Sequence, residues 1–331
     1  MRIAIIGAGM AGLSCARRLR TLGLEPVLFD KGKGAAGRMA SRRLPTPLGE
    51  AAFDMGAQFF TVRSPLFAIQ TADWAAAGLA APWPEAGPDA WVGTPLMSSP
   101  LKAMTEGLEV RWNSLVGGVS RAGGDWRVHV QDGDEGPFDA VVIALPAEQA
   151  TPFLALNAPL FQGQNAICVS KPCWTGLFAF DAPLRSSASI LRDRGAVAWA
   201  ARNSAKPGRV GPEAWVVHGE ADWSRDRLEA EPQAVLALLL GELLALTGDA
   251  GRTPIAAHAH RWRFSRSTGL GLGALWDRGL AVGVCGDWLL APRVESAWLS
   301  GFELAQRIAE GPRRRWSETA PMAAFEWTPP L

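Results

Sequence analysis

The chain has 331 residues, of which 48% are hydrophobic and 20% charged, and its formal net charge is +1. These values are ordinary for a soluble globular protein with room for two domains, and they argue against nucleic acid or an anionic membrane as a partner. The longest apolar stretch, residues 234–248, contains Glu242 and is too short to span a membrane, so we predict a packed helix there. The four cysteines lack metal-ligand spacing, which favours reduced thiols in a cytoplasmic protein.

The first thirty residues are arranged as strand, glycine turn, helix and strand. Residues 2–6 form a short apolar run typical of a buried parallel strand, and Gly7-Ala8-Gly9-Met10-Ala11-Gly12 follows at once. In such a turn the first glycine permits the bend, the second lets backbone N–H groups reach a pyrophosphate, and the third lets the next helix pack closely. We predict that helix over residues 10–22 and a second strand over 26–30.

Asp30 closes the second predicted strand, 18 positions after Gly12. A carboxylate at this point accepts hydrogen bonds from both ribose hydroxyls of an adenosine and repels a 2'-phosphate. The pattern therefore predicts a bound dinucleotide, with NAD and FAD both open at this stage.

A second glycine-arginine turn, Gly34-Ala35-Ala36-Gly37-Arg38, follows soon after Asp30, and Phe53-Asp54-Met55-Gly56-Ala57-Gln58 comes next. A nicotinamide dehydrogenase has no physical need for a second phosphate-side turn with a fixed cation. A flavin dinucleotide does, because its ribityl-pyrophosphate chain must be held along its length. This turn favours FAD.

Further along, apolar runs and turn residues predict alternating helices and strands. Residues 138–146 predict a strand buried on both faces, and residues 280–287 predict a last buried strand that ends in Gly-Asp. Residues 151–266 alternate as in a mostly antiparallel sheet. The remaining predictions are helices at 66–77, 100–107, 233–246 and 296–310, a small group of strands at 108–112, 116–120 and 125–131 with turns at Gly117-Gly118 and Gly123-Gly124, and a polar tail over 311–331.

The glycine turn, the Arg38 turn and the Asp54-x-Gly56-Ala57 segment together resemble the flavin-dependent amine oxidase superfamily, except that Ala36 replaces the usual glycine. The resemblance implies an α/β fold: a Rossmann-like FAD-binding domain of the amine oxidase type with a second, mostly antiparallel β substrate domain plus helices. It implies a discontinuous FAD-binding domain over 1–62, 95–152 and 268–316, a substrate domain over 63–94 and 153–267, and a tail over 317–331.

The same resemblance implies a non-covalent FAD, since residues 286–296 contain no cysteine. The strand-Gly-Asp-loop-helix unit near the end places Asp287 on the ribityl-phosphate side and a helix N-terminus at the flavin's pyrimidine ring. The residues expected to contact the cofactor are Gly7, Gly9, Met10, Ala11, Gly12, Asp30, Lys31, Gly37, Arg38, Met39, Asp54, Gly56, Ala57, Gln58, Val116, Ala144, Gly286, Asp287, Glu295, Ser296 and Ala297.

Several middle segments resemble one branch of the superfamily, the bacterial renalases. They are residues 54–61, 91–98, 172–174, 199–204, 206–209, 215–218, 223–224 and 260–264. The resemblance implies an oxidase that takes a hydride from the 2-dihydro or 6-dihydro isomers of NAD(P)H to flavin N5, gives NAD(P)+, and is reoxidised by O2 to yield H2O2. No obligate protein partner is implied.

Such a reaction needs no general base, because a dihydropyridine nitrogen has no N–H to lose, and the enzyme has only to stack and orient the ring. The residues expected to carry this role are Gln58, Trp199, Asn203, His260 and Trp262. Phe60, His218 and Arg263 are further cavity candidates. Arg202, Arg209 and Arg263 are candidates for substrate phosphates or for surface charges, and we predict Arg209 at the surface because it adjoins Pro207 and Gly208.

Two alternatives stay open. The first is a flavin-dependent amine oxidase or desaturase; the absence of tyrosine rules out a tyrosine cage beside the flavin, although tryptophans can replace it. The second is a non-catalytic FAD-binding protein.

Overall fold

A computed structural model describes residues 1–310, apart from the side chains of residues 160 and 162. Residues 311–331 lie outside this range. They include the end of the predicted FAD-binding domain, residues 311–316, and the predicted tail, residues 317–331. The helices of the described range are α1 Met10–Thr21, α2 Pro65–Ala76, α3 Ser99–Met104, α4 Ala147–Asn157, α5 Pro159–Ala166, α6 Ala221–Asp226, α7 Pro232–Thr247 and α8 Val294–Ala309. The strands are β1 Arg2–Ile6, β2 Glu25–Phe29, β3 Ser41–Thr46, β4 Gly49–Asp54, β5 Phe60–Thr61, β6 Ala80–Pro82, β7 Ala90–Gly93, β8 Glu109–Arg111, β9 Val116–Ala122, β10 Asp125–Val130, β11 Gly133–Phe138, β12 Ala140–Ile143, β13 Ser170–Phe180, β14 Ile190–Arg194, β15 Val197–Arg202, β16 Glu213–Gly219, β17 Ala256–Ser267, β18 Leu275–Asp277 and β19 Val282–Val284.

A six-stranded sheet in the order β18-β19-β12-β1-β2-β8 forms the first layer. Its strands are parallel except β18, which is antiparallel to β19. The strands come from distant parts of the chain, and the four inner strands β19, β12, β1 and β2 are buried on both faces, as expected for a parallel sheet covered on both sides. β8 joins its edge, which corrects the predicted strand group: β9, β10 and β11 form a separate three-stranded antiparallel sheet.

Helices α1 and α8 cover one face of the parallel sheet and cross at Gly301. A Cβ atom at this position would overlap the Ala11 carbonyl oxygen, so only glycine permits the close crossing. Ser14 Oγ donates a hydrogen bond to the Trp298 carbonyl oxygen beside it. The opposite face packs on the three-stranded sheet and α4 through buried residues such as Trp126 and Phe153.

The second layer is a five-stranded antiparallel sheet in the order β14-β15-β16-β13-β17. Helix α7 covers one face of this sheet, where Leu239 and Leu243 pack with Trp215 and Phe178. The β3–β4 hairpin covers part of the other face, where Phe53 packs in the same buried cluster as the β13 and β16 side chains. The predicted helix at 233–246 and the predicted antiparallel strands are confirmed.

Of the two turns predicted at glycine pairs, one is confirmed and one is wrong. The turn at Gly123-Gly124 is confirmed, since both residues have positive φ between β9 and β10. The turn predicted at Gly117-Gly118 is wrong: both lie inside β9, where Gly118 pairs with His129 of β10 and Gly117 lies at a shift in the register. Strand pairing overrides a local preference for a turn here.

Candidate active site

The glycine turn between β1 and α1 leaves one open space. A Cβ atom at Gly7 would lie 2.6 Å from the Ala144 carbonyl oxygen, and one at Gly12 would overlap the Gly7 carbonyl oxygen. At Gly9, in contrast, a Cβ atom would meet nothing within 4 Å. Gly9 is the N-cap of α1, and no side chain caps the helix. The open space therefore faces uncapped backbone N–H groups, which fits an anionic pyrophosphate.

Asp30 lies beside this turn, at the end of β2. Its Oδ2 accepts a hydrogen bond from the Ala8 N–H at 2.7 Å, and its Oδ1 accepts one from the Gly32 N–H at 2.7 Å. These bonds fix the half-buried carboxylate next to the space at Gly9 while each oxygen keeps a second lone pair. The geometry fits the predicted contact with a ribose.

Arg38 and Asp287 form a two-bonded ion pair that joins the second glycine turn to the end of the parallel sheet. The guanidinium donates to Asp287 Oδ2 at 2.9 Å and to Oδ1 at 2.5 Å, and also to the Ser265 carbonyl oxygen at 3.3 Å. The Asp287 side chain is 7% exposed and that of Arg38 is 31% exposed. The sequence predicted each as a separate cofactor contact, and the structure shows that they also hold each other and β17.

The Asp54 carboxylate, also predicted to contact the cofactor, lies in a buried ion cluster. It pairs with Lys206 Nζ at 3.2 Å and Arg209 at 2.5 Å, and it accepts hydrogen bonds from the Met97 N–H and the Ser41 hydroxyl. Burial opposes ionisation of Asp54, but Lys206 and Arg209 outweigh it and hold its pKa below the ordinary value. Burial lowers the pKa of Lys206 to about 8, against the attraction of Asp54. The predicted surface position of Arg209 is wrong: its side chain is 2% exposed because it meets this carboxylate.

Gln58 connects the ion cluster to the loop that precedes β5. Its Oε1 accepts a hydrogen bond from Lys206 Nζ at 3.0 Å, and its Nε2 donates to the carbonyl oxygens of Asp54 and Gly56. A Cβ atom at Gly56 would overlap the Arg38 carbonyl oxygen, so residues 54–58 press directly against the second glycine turn.

The Met55 carbonyl oxygen links this loop to the antiparallel sheet. It lies 3.2 Å from His218 Nε2 and accepts a hydrogen bond from Trp262 Nε1 at 3.2 Å. The sheet therefore meets the second glycine turn at this loop, next to the Arg38–Asp287 pair.

Four side chains stand in a row on the same face of the antiparallel sheet. Trp199 pairs with His218 across β15 and β16, His218 with Thr175 across β16 and β13, and Thr175 with His260 across β13 and β17. Trp262 lies two positions beyond His260 on the same face, and the two rings are 4.4 Å apart. We call these five residues the sheet wall.

The sheet wall is aromatic and uncharged. The centre of the Trp199 ring lies 5.4 Å from the centre of the Phe59 ring and 4.5 Å from the Arg192 guanidinium carbon. Trp199 Nε1 is buried and has no hydrogen-bond partner among the described residues. Burial lowers the pKa of His218 to about 4 and also lowers the pKa of His260, so both imidazoles are neutral at pH 7.

The wall thus brings together three of the five residues predicted to act on the substrate, and Gln58 lies 3.4 Å from His218. Asn203 is different: its Nδ2 donates to the Ala52 carbonyl oxygen and its Oδ1 accepts from the Asp54 N–H. Both polar groups of Asn203 are thus used to brace β4, and its contact with a substrate stays a prediction.

Of the further cavity candidates, His218 lies in the sheet wall, whereas Phe60 and Arg263 lie elsewhere. Phe60 is buried against Phe67 and Trp74. The arginines predicted as phosphate contacts are paired, Arg202 with Glu213 at 3.0 Å and Arg263 with Glu229 at 2.6 Å.

The predicted cofactor contacts at the start of α8 are buried. Glu295 Oε1 accepts hydrogen bonds from the N–H groups of Arg63 and Ser64 at 2.8 and 2.7 Å, so this carboxylate ties down the start of α2. Among the remaining predicted contacts, Lys31 is exposed, whereas Met39, Val116, Ser296 and Ala297 are buried. Contact of these residues with a cofactor stays a prediction.

Lys206 and Thr175 were missed as site residues. A lysine followed by Pro207 and Gly208 has every local sign of a surface loop, and a lone strand threonine has no sign of function. Their positions depend on partners more than 40 residues away in the chain.

A groove of about 650 Å³ adjoins the sheet wall at the outer edge of β17. It includes His258, His260 and Arg261 of β17 and Arg42 of β3. Glu229 and Glu231 line the groove too, whereas Arg42 is exposed and forms no ion pair within residues 1–310. Arg261 is paired with Glu229 at 2.9 Å.

The fold and the site together define a dinucleotide-binding α/β protein whose antiparallel sheet meets the second glycine turn through residues 54–58. Residues 5–69 match a profile described as NAD(P)-binding Rossmann-like domain, and residues 84–309 match one described as flavin containing amine oxidoreductase. The second match covers more than half of the chain, so the protein belongs to the flavin containing amine oxidoreductase family. The predicted fold class is confirmed, and the chain is a flavin-dependent oxidoreductase.

Three solved structures share the fold, each over 93% of this chain and 98% of the other. They are a putative protoporphyrinogen oxidase from Exiguobacterium sp. 255-15 (TM-score 0.69, 12% identity), the cyclohexylamine oxidase of Brevibacterium oxydans IH-35A (0.70, 12%) and a triple mutant of putrescine oxidase with redesigned cofactor binding (0.71, 13%). At these identities the likeness shows the fold alone. Within the described residues no helix is long and apolar enough to cross a bilayer.

Proposed function

We propose that this protein binds FAD non-covalently and oxidises the 2-dihydro or 6-dihydro isomers of NAD(P)H to NAD(P)+. The bound FAD supplies a hydride acceptor at N5 and passes the electrons to O2, which gives H2O2. The protein's own residues bind the substrate, orient its ring and exclude water.

The fit of the turns supports FAD as the flavin. The open space at Gly9 and the uncapped start of α1 suit a pyrophosphate, and Asp30 suits the adenosine ribose. Residues 286–296 contain no cysteine that could form a covalent bond to the ring.

The observation that carries the proposed reaction is the lack of an ionised, unpaired group on the sheet wall. His218 and His260 have lowered pKa values and are neutral at pH 7, and the wall otherwise presents tryptophan rings and Thr175. Among the charged groups near the wall, Asp54, Lys206 and Arg209 satisfy one another, and the Arg192 guanidinium, 4.5 Å from the centre of the Trp199 ring, donates a hydrogen bond to the Ala86 carbonyl oxygen. A neutral aromatic surface suits hydride loss from a dihydropyridine, because the ring becomes aromatic without losing a proton to a base.

The groove beside His260 supports a substrate longer than a simple amine. Arg42 lines this groove together with His260 and is in no ion pair within the described residues. Glu229, which is paired with Arg261 and Arg263, and Glu231 line the groove as well. A small amine has no group for this cation to bind.

An amine oxidase is the second candidate, since two proteins with this fold are named as oxidases of amines. Tryptophans Trp199 and Trp262 on either side of His218 supply the aromatic surface that such a reaction uses. A non-catalytic flavin protein is the third.

Anaerobic stopped-flow absorbance separates these candidates. The purified yellow protein is mixed with 6-dihydro-NAD, 2-dihydro-NAD, ordinary NADH and a panel of primary amines, and loss of flavin absorbance is followed. We expect rapid bleaching by one or both isomers and none by NADH or the amines. Bleaching by an amine alone identifies an amine oxidase, and no bleaching by any compound identifies a non-catalytic protein.

A further inference from the structure

His218 lies between Trp199 and Thr175 in the sheet wall, on the central strand β16. Its hydrogen bonds determine which ring nitrogen carries the proton. Gln58 has no donor left for it: Lys206 Nζ donates to Gln58 Oε1, which orients the amide, and both Nε2 hydrogens go to the carbonyl oxygens of Asp54 and Gly56. The 3.4 Å approach of Gln58 Nε2 to His218 Nε2 is therefore not a donation to the ring.

The Met55 carbonyl oxygen, 3.2 Å from His218 Nε2, can only accept. A hydrogen bond at this contact requires the proton on Nε2. The neutral ring then has its lone pair on Nδ1.

His218 Nδ1 has no hydrogen-bond partner among residues 1–310. The polar side-chain atoms that are both fully buried and without a partner do not include it. Nδ1 of this half-buried ring is therefore not fully enclosed, and its lone pair is free to accept a hydrogen bond. The neighbours of the ring along the wall are Trp199 and Thr175, which pair with it across the sheet, and Trp262 shares its carbonyl acceptor. An uncharged acceptor thus stands between two tryptophans.

We infer that His218 Nδ1 accepts a hydrogen bond from the carboxamide N–H of the nicotinamide ring, and so acts as the residue that selects a primary carboxamide on the substrate. This inference rests on the proposed oxidation of dihydronicotinamides. The carboxamide is the matching group because it carries the only N–H donors of that ring, the ring nitrogen being bonded to ribose. A carboxylate or ketone at the same position of the ring has no N–H donor, so it forms no hydrogen bond with His218 Nδ1.

The lowered pKa of His218 agrees with this role, because a protonated ring has no lone pair to offer. The groups that surround it and enter this balance are Lys206, whose charge also disfavours protonation, and the Met55 carbonyl, which opposes the shift.

The test uses the FAD-loaded enzyme and two substrates, 6-dihydro-NAD and the 6-dihydro form of its 3-acetylpyridine analogue, in which a methyl ketone replaces the carboxamide. The measured quantity is the ratio of their second-order rate constants for anaerobic flavin reduction. The intrinsic reactivities of the two rings are the same for every variant, so a change in the ratio reports recognition, and inactive or unfolded protein does not alter it.

We expect His218→Leu to reduce the preference for the carboxamide about tenfold, because one hydrogen bond is lost. His218→Asn, which keeps an acceptor oxygen near the position of Nδ1, is expected to retain most of the preference. His129→Asn is the matched control, since His129 pairs with Asp134 and Ser120 on the three-stranded sheet, and it is expected to keep the wild-type ratio.

A second readout does not depend on turnover. The chain has four histidines, so the ¹⁵N spectrum of histidine-labelled holoprotein is simple enough to assign with these variants. We expect His218 in the Nε2–H form with a bare Nδ1 whose resonance shifts when NAD+ binds.

A His218→Leu variant with the wild-type ratio, or an Nδ1 resonance unmoved by saturating NAD+, overturns the inference and leaves the proposed function standing. Failure of both dihydro isomers to bleach the wild-type flavin overturns the proposed function itself.

Discussion

At the scale of single residues, the site depends on polar groups that hold one another as much as on groups that face a ligand. Arg38 and Asp287 share two hydrogen bonds, and Asp54 shares its carboxylate between Lys206 and Arg209. Buried charges arranged in this way are costly to unpair, since removing one partner leaves the other desolvated without compensation. Substitutions at Asp287 and Lys206 test these contacts, and substitutions at Trp262 and Asp30 test neighbouring parts of the site.

Trp262→Ala is expected to slow flavin reduction by roughly ten- to a hundredfold while FAD stays bound, because the ring that orients the substrate is removed. Trp262 also donates a hydrogen bond to the Met55 carbonyl oxygen, so Trp262→Phe separates loss of the ring from loss of this bond. Stopped-flow reduction rates and the flavin content of the purified variants are the measurements. If the Trp262→Ala protein does not fold, Trp262 is a core residue and not one that orients the substrate.

Asp287→Ala is expected to weaken FAD retention by roughly tenfold or more, because it leaves the Arg38 guanidinium without its carboxylate. Asp30→Ala is expected to act in the same direction by removing the acceptor for the Ala8 N–H. The measurement is the FAD dissociation constant by fluorescence titration of the stripped protein. Asp226→Ala on the exposed surface of α6 is the control, and equal retention in all three proteins would contradict this role.

Lys206→Met is expected to lower the free energy of unfolding by about 3 kcal/mol, because Asp54 and Gln58 each lose a buried partner. Lys102→Met, at the exposed surface of α3, is the control and is expected to change little. Denaturant unfolding followed by tryptophan fluorescence is the measurement. A stability equal to wild type would mean that the cluster contributes nothing beyond the side-chain volume.

At the scale of secondary-structure elements, two junctions position the site: the crossing of α1 with α8 and the contact of residues 54–58 with β16 and β17. The first places the N-termini of both helices beside the parallel sheet, and it is possible only because Gly301 has no side chain. The second ties the antiparallel sheet to the second glycine turn, at Arg38, through the Met55 carbonyl oxygen.

Gly301→Ala is expected to destabilise the protein by about 1–3 kcal/mol, because the added methyl group overlaps the Ala11 carbonyl oxygen and pushes α8 away from α1. Gly241→Ala in α7 is the matched control. A Cβ atom there meets nothing within 4 Å, so this variant is expected to gain up to about 1 kcal/mol from helix propensity. Thermal denaturation of both variants is the measurement, and equal shifts would show that the crossing is not tightly packed.

At the scale of the whole molecule, half-buried histidines that are neutral at pH 7 make the stability depend on pH. His218 has a pKa of about 4 in the folded protein against an ordinary value of 6.5, so between these two values the unfolded chain binds a proton that the folded chain does not. The free energy of unfolding therefore falls as the pH is lowered from 6.5 to 4. His258 and His260 have lowered pKa values and act in the same direction.

His218→Gln, which cannot titrate but keeps a donor for the Met55 carbonyl oxygen, is expected to reduce this acid-dependent loss by about 2 kcal/mol. The measurement is the difference in unfolding free energy between pH 7 and pH 4.5 for the variant and for wild type. The same loss in both proteins would show that His218 does not carry the dependence.

The cofactor turn was predictable because its parts are neighbours in the chain. Gly7, Gly9, Gly12 and Asp30 belong to one strand-turn-helix-strand unit, in which the backbone geometry needed for a pyrophosphate dictates residue types at short, fixed spacing. The buried strand at 138–146 and the helix at 233–246 were likewise evident from local hydrophobicity. The second glycine-arginine turn, which favours FAD, is local in the same way, and the match over residues 84–309 shows the flavin-containing family.

The tertiary structure alone decided what surrounds that turn. Whether Arg209 lies at the surface or in the core depends on Asp54, 155 positions earlier. The row Trp199, His218, Thr175 and His260 exists only because of the register of four strands, and the proton position on His218 depends on a carbonyl group 163 positions away. Local sequence determines local backbone geometry. Burial, ion pairing and protonation depend on the distant residues against which a segment packs, and no fixed sequence spacing identifies those residues.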